Sequence, residues 1–277
     1  MNRKAVDLDS YLQRLNCSAD VQPTKGGLET IHRAHVYTIP FENFDILLGR
    51  GVTLEPAALC DKVLHQPRRG YCFELNGLFL MLLQTIGFDA RALLARVHLA
   101  EPPSGRTHQL SLVTIQGKQW IADVGFGSFC FRSPIPLEFN HPRIQDGLTF
   151  QLTEAEPFGV MLQTLKKGRW LDLYSFDLGH VIPADIELGS HFTSTHPSSF
   201  FTFARAASLL TPEGRVSLLN RTLRIVTAEA EQVYELAEGK AYLDALKTHF
   251  GIELDASYDA LRPLQRSDDE KGSGIEW

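Results

Sequence analysis

The feature that most restricts the fold is a change of hydrophobic period near Gly87. From Asp7 to about that glycine, apolar residues recur at helical spacing. Beyond it they come in short runs rich in Val, Ile, Leu and aromatics, divided by Gly, Pro and Asn. Helices first and strands second predict an α+β protein. Its 277 residues are enough to bury a core without disulfide support.

Within the helical part, Thr53 and Glu55-Pro56 mark a helix entry ahead of AALCDKVL. The last helix is predicted from about Cys72 through ELNGLFLMLLQTI to Gly87, where glycine suits a left-handed cap. It is apolar nearly all round, so it should be buried. Downstream, ARALLARVHL, HQLSLVTI, QWIADVGF, LTFQLT, GVMLQTL and RWLDLYSF read as six strands of an antiparallel sheet or barrel. Pro183 to Pro197 reads as a connecting segment. After it, TFARAASLLT, RVSLLNRTLRIVTA and YLDALKTHFGI alternate strand-like and helix-like character. The expected layout is a helical domain over 1–87, a β-barrel domain over 88–190, an α/β part over 191–266 and a disordered tail over 267–277.

With 33 acidic against 27 basic residues and a net charge of −6, the chain has no global field for a polyanion, so a small-molecule partner is expected rather than nucleic acid. No run of about 20 apolar residues signals a membrane span. The N-terminus lacks a secretory pattern, and a cytoplasmic location is the expectation. Cys17, Cys60, Cys72 and Cys130 are scattered without a CxxC pair, so neither a metal site nor a disulfide framework is expected. His32 and His35, with Glu29 nearby, lie on an amphipathic helix without further ligands and read as structural. Glu42 and Asp45 read as ion-pair partners of Arg68 and Arg69, and Cys60 as packing.

The chemistry concentrates in Arg68-Arg69-Gly70-Tyr71-Cys72-Phe73-Glu74-Leu75-Asn76. A cysteine at the start of a helix, after two arginines, meets unpaired N–H groups and positive charge, which favour a thiolate. Taken alone, Cys72 reads equally well as a small core residue. Downstream, RTHQLSLVTI and QWIADVGFG read as a hairpin turning near Gln116-Gly117. With Ile115 opposite Lys118, His108 faces Gly125 and Asp123 faces Leu110. His108 and Asp123 then share a face as diagonal neighbours about 7–8 Å apart at Cα, within reach of a hydrogen bond. A nucleophilic thiol, a histidine base and an orienting carboxylate make an activated nucleophile.

The cysteine motif, Thr107-His108 and Asp123-Val124-Gly125-Phe126-Gly127, in this order, resemble the arylamine N-acetyltransferases. Ile39-Pro40-Phe41-Glu42-Asn43-Phe44-Asp45 resembles that family's N-terminal signature, and Ser194-Thr195-His196-Pro197 with Phe200-Phe201 resembles the entry to its last domain. The similarity runs from about Tyr11 to Phe250. It implies a helical domain, a barrel and an α/β lid around a transglutaminase/papain-like thiol-enzyme core. It also implies a ping-pong reaction in which acetyl-CoA acetylates Cys72 and an arylamine, arylhydrazine or N-arylhydroxylamine takes the acetyl group. Phe41, Tyr71, Phe126 and Phe201 fall where similar proteins line the acceptor pocket, and Thr107 and Gly127 where pantetheine passes. No phosphate loop of the GxxxxGK[ST] type is present. A thiol hydrolase or transglutaminase-like enzyme, a macrolactam-forming amide synthase and a non-catalytic aromatic-ligand binder remain competing readings of the same residues.

Overall fold

The structure, a computed structural model, describes residues 7–18 and 20–264. The expected tail over 267–277 lies outside the described residues. The chain opens with α1 (Leu8–Arg14), whose first turn is capped by Asp7 accepting from Ser10 N–H at 3.1 Å, and α2 (Lys25–Thr38), capped likewise by Thr24. A short strand β1 (Phe41–Glu42) and the turn-length α3 (Phe44–Leu47) follow. The AALCDKVL segment forms α4 (Pro56–Cys60), with Pro56 at its first turn, and then widens into a π turn over Asp61–His65. The helix α5 (Cys72–Ile86) ends on Gly87 at φ 104°, as its sequence predicts.

All six strand-like runs form strands: β2 (Asp89–Val97), β3 (Arg106–Ile115) and β4 (Lys118–Ala122), then, after the short β5 (Ile135–Pro136) and β6 (Arg143–Gln145), β7 (Leu148–Ala155), β8 (Gly159–Lys166) and β9 (Arg169–Phe176). They make one antiparallel sheet in the order β5-β4-β3-β2-β9-β8-β7-β6, curled into a nearly closed barrel. Its interior packs Leu93, Leu110, Ile121, Leu152, Leu162 and Tyr174. The register of β3 on β4 pairs Ile115 with Lys118 through to Ser111 with Ala122, across a turn in which Gln116 and Gly117 both take positive φ. That is the register expected from the sequence, and the two-residue turn with left-handed backbone is what fixes it.

Pro183 to Pro197 departs from expectation. The segment is largely helix, α6 (Pro183–Thr195), not a connector. Gly, Ser and β-branched residues weaken its intrinsic helical signal, and packing supplies what propensity lacks. Pro183 opens it, Asp185 accepts from Ile182 N–H at 3.0 Å, and its small face of Gly189, Ser190 and Thr193 is buried. A Cβ on Gly189 would come within 2.9 Å of both the Arg106 carbonyl and the Phe73 ring, so glycine is what lets α6 seat against β3 and the start of α5.

The remaining strands, β10 (Ala206–Thr211), β11 (Gly214–Leu219), β12 (Thr222–Thr227) and β13 (Glu231–Glu235), form a second antiparallel sheet backed by α7 (Lys240–Phe250). β1 joins this sheet by pairing Phe41 with Ser208 and Glu42 with Ala207, so residues far apart in the chain share one ladder.

Under the N-terminus of α5 lies a buried charge network. Arg68 holds Glu42 at 3.0 Å and Asp45 at 2.7 Å, and Lys62 holds Asp45 at 2.6 Å and Glu74 at 2.7 Å. Glu42 also accepts from the N–H groups of Arg69 and Phe44, and Glu74 accepts from Tyr71 N–H. Arg69 differs from expectation: its guanidinium donates to the carbonyls of Gln66, Arg68 and Gly251 rather than to a carboxylate. Arg68→Met should therefore leave the buried Glu42 without its cation and the half-buried Asp45 with Lys62 as its remaining close partner, and cost about 3–5 kcal/mol in urea unfolding. A loss below about 1 kcal/mol would mean the network carries little, as exposed pairs do.

Candidate active site

The first turn of α5 places Cys72 at the floor of a cleft of about 470 Å³. The walls come from the β2–β3 loop (Leu99, Pro102, Ser104), the start of β3 (Thr107, His108), the Gly125-Phe126 turn, the end of α6 (Phe192) and the 3₁₀ turn Phe200–Thr202. Cys72 is 3% exposed, and its Sγ faces the Thr107 carbonyl at 3.9 Å. His108 lines the same cleft, 2% exposed, with its ring 4.8 Å from that of Phe126 and 5.2 Å from that of Tyr174.

Asp123 lies just past β4, fully buried, and its Oδ2 meets His108 Nε2 at 2.7 Å. Its Oδ1 accepts from Asn76 Nδ2 and from Gly125 N–H, each at 2.9 Å. Burial alone would raise the Asp123 carboxyl, but the neighbouring His108 and these hydrogen bonds outweigh it and hold the group below the usual carboxylate range. An ionised carboxylate only accepts, so Nε2 of His108 carries the proton and Nδ1 is the nitrogen left to serve a thiol.

The Cys72 thiol differs from the sequence expectation. N–H groups of Phe73 and of Cys72 itself do lower it, as a helix start should. Burial, followed by the negative charge of Asp123, outweighs them and pushes the thiol well up from its ordinary value. Ionisation into solvent is thus disfavoured.

Of the predicted pocket residues, Phe41, Phe126 and Phe201 line the cleft, with the rings of Phe41 and Phe201 5.7 Å apart. Thr107 lines it too, its hydroxyl donating to Ser104 Oγ at 2.9 Å. Tyr71 and Gly127 do not reach it. Tyr71 is fully buried behind Phe201, tied to Ser190 Oγ at 2.5 Å, because the residue before Cys72 points into the α5–α6 contact. Gly127 is turned inward at φ 61° to start a 3₁₀ turn. Sequence reasoning missed Leu99, Phe129, Phe192 and Phe200, which also line the cleft. They sit on loops and on the helix read as a connector, where periodicity carries no signal.

His32 and His35 take structural roles. His32 Nε2 lies 2.9 Å from the Asp123 carbonyl, and His35 Nδ1 lies 2.7 Å from Tyr11 Oη. Burial lowers His32 to about 4 and His35 to about 3. In the unfolded chain both protonate near pH 6.5, so their contribution to stability is flat above that pH and falls as pH drops towards about 4, by about 1.4 kcal/mol per unit for each histidine. Urea unfolding at pH 5 should therefore show about 4 kcal/mol less stability than at pH 7.5. Equal stabilities would contradict the buried, neutral assignment.

A family profile described as N-acetyltransferase matches residues 26–258. An arylamine N-acetyltransferase / N-hydroxyarylamine O-acetyltransferase of Salmonella typhimurium is 39% identical over 88% of both chains. The chain belongs to the arylamine N-acetyltransferase family. An arylamine N-acetyltransferase of Mycobacterium tuberculosis is 35% identical over 90% of each chain. The solved structure of the Mycobacterium marinum arylamine N-acetyltransferase in complex with CoA superposes with a TM-score of 0.83 at 33% identity, covering 89% of this chain and 93% of that one. Membership makes the protein an acetyltransferase.

Proposed function

We propose that the protein transfers the acetyl group of acetyl-CoA to arylamines, arylhydrazines and N-arylhydroxylamines by a ping-pong mechanism through an acetyl-Cys72 thioester. The observation that carries this reading is the 2.7 Å bond from His108 Nε2 to Asp123 in the wall of the cleft that holds Cys72. His108 Nδ1 takes the thiol proton as Sγ attacks the thioester carbonyl, and the imidazolium is stabilised by Asp123. The tetrahedral intermediate collapses with expulsion of CoA thiol, which takes the proton from His108. In the second half His108 removes a proton from the amine as its nitrogen attacks acetyl-Cys72, and returns it to Sγ. The backbone N–H of Cys72 at the helix start is the proposed oxyanion donor.

Phe41, Phe126 and Phe201 supply flat apolar walls suited to an aryl ring, with Tyr71 packed behind them. Pantetheine is placed along Thr107, near the turn that Gly127 opens. In this reading the helical domain over 1–87 brings the nucleophile, the barrel over 88–190 brings its base, and the part over 191–266 closes the cleft as a lid. Intact mass after incubation with acetyl-CoA alone tests the proposal. One acetyl adduct, about 42 Da, discharged by an added aromatic amine, is expected. No adduct on a protein whose Cys72 still reacts with iodoacetamide would favour a hydrolase or a carrier-bound donor.

A further inference from the structure

Asp123 stands beyond the end of β4, on a loop that must meet the helix carrying Cys72. Asn76, one turn along α5 from Cys72 and fully buried, makes that join. Its Nδ2 donates to Asp123 Oδ1 at 2.9 Å and to the Gln109 carbonyl at 2.6 Å, and its Oδ1 accepts from Val124 N–H at 2.9 Å. These partners settle the orientation of the amide, since a carboxylate and a carbonyl only accept and a backbone N–H only donates. Gln109 follows His108, and Val124 follows Asp123. One short side chain thus ties both segments to the nucleophile's own helix.

Two donations and one acceptance, from a neutral group of this length, are met by asparagine. Ionised aspartate has no donor to give, and protonated aspartic acid or serine has one proton for two acceptors. The close approach also depends on Gly125, where a Cβ would lie 2.7 Å from Asn76 Nδ2 and 3.0 Å from Cys72 Cα.

We propose that Asn76 is a positioning residue for acetyl transfer, holding the Asp123–His108 pair in register with Cys72. The proposal rests on the Cys72–His108–Asp123 reading above. Without Asn76, Asp123 Oδ1 keeps only the Gly125 N–H, and the carboxylate gains freedom to turn away from the imidazole it orients. The cleft walls that hold the substrates are untouched, so the loss should fall on turnover rather than on binding.

The test compares Asn76→Ala and the isosteric Asn76→Asp with Leu78→Ala, a buried control on the same helix away from these hydrogen bonds. Per folded molecule, both Asn76 variants should lose about 100-fold in kcat while KM for acetyl-CoA moves less than about three-fold. In protein carrying ¹⁵N-histidine, the downfield proton resonance of His108 Nε2–H should shift or broaden in both, and stay in place in Leu78→Ala. Asn76→Asp keeps the shape and the bond from Val124 but, ionised, has no donor and, protonated against Asp123, only one for two acceptors, so it too should fall. Wild-type kcat in Asn76→Asp, or an unmoved His108 resonance in folded Asn76→Ala, would overturn the proposal. Failure of acetyl-CoA to acetylate Cys72 in the wild type would instead overturn the triad reading, and this proposal with it.

Discussion

Cys72→Ala is expected to reduce acetyl transfer to aromatic amines by at least about four orders of magnitude while leaving the protein folded. The proposed mechanism needs a nucleophile that both forms and releases a thioester, and alanine has none. The fold should survive because Cys72 contributes one small buried side chain at the end of a helix whose core contacts come from Phe73, Leu75, Leu78, Phe79, Leu82 and Leu83. Loss of the sulfur should cost about 1–2 kcal/mol, small beside the rest of that helix. Transfer rates with acetyl-CoA and an aromatic amine, set beside urea unfolding, check both parts. Turnover within ten-fold of wild type would remove Cys72 from the mechanism.

The second large effect is expected from Asp123→Asn, with a loss of about 10⁴ in kcat. The surroundings dictate how the new amide must sit. Asn76 Nδ2 and Gly125 N–H both point at Oδ1, so the oxygen of the asparagine faces them and its NH₂ turns to His108. His108 Nε2 must then accept rather than donate, which moves the ring proton to Nδ1, the nitrogen proposed as base. Because burial already holds the Cys72 thiol protonated, alkylation of the variant by iodoacetamide at neutral pH should slow along with transfer. Unchanged alkylation with lost transfer would confine the role of Asp123 to later steps.

The environment of Cys72 bears on why the proposed mechanism uses three residues. A helix start and two arginines read in sequence as a thiolate-stabilising site, yet Arg68 is committed to Glu42 and Asp45, and Arg69 to backbone carbonyls. Neither cation is directed at the sulfur. What remains is a buried thiol raised by burial and by the charge of Asp123, in a cleft that His108 also lines; in the proposed mechanism the proton passes to that imidazole, and the imidazolium formed is paired with Asp123.

The sequence by itself determined the elements whose information is local. The span of α5 follows from an unbroken apolar stretch ended by Gly87, and the six barrel strands from their alternation and composition. The placement of His108 beside Asp123 was legible for the same reason: a two-residue turn at Gln116-Gly117 leaves one register, and period-two alternation then puts both side chains on one face.

Tertiary structure decided what local pattern does not encode. α6 exists because Gly189, Ser190 and Thr193 fit against Phe73 and β3, a contact invisible in a segment of weak helix formers. The pairing of β1 with β10, the commitment of Arg69 to carbonyls, the inward turn of Tyr71 and Gly127, and the aromatic wall completed by Phe129, Phe192 and Phe200 all depend on residues distant in sequence. Side-chain period reports which face of an element is apolar. Which partner covers that face, and how far burial then shifts a thiol such as Cys72, is set only when the elements pack.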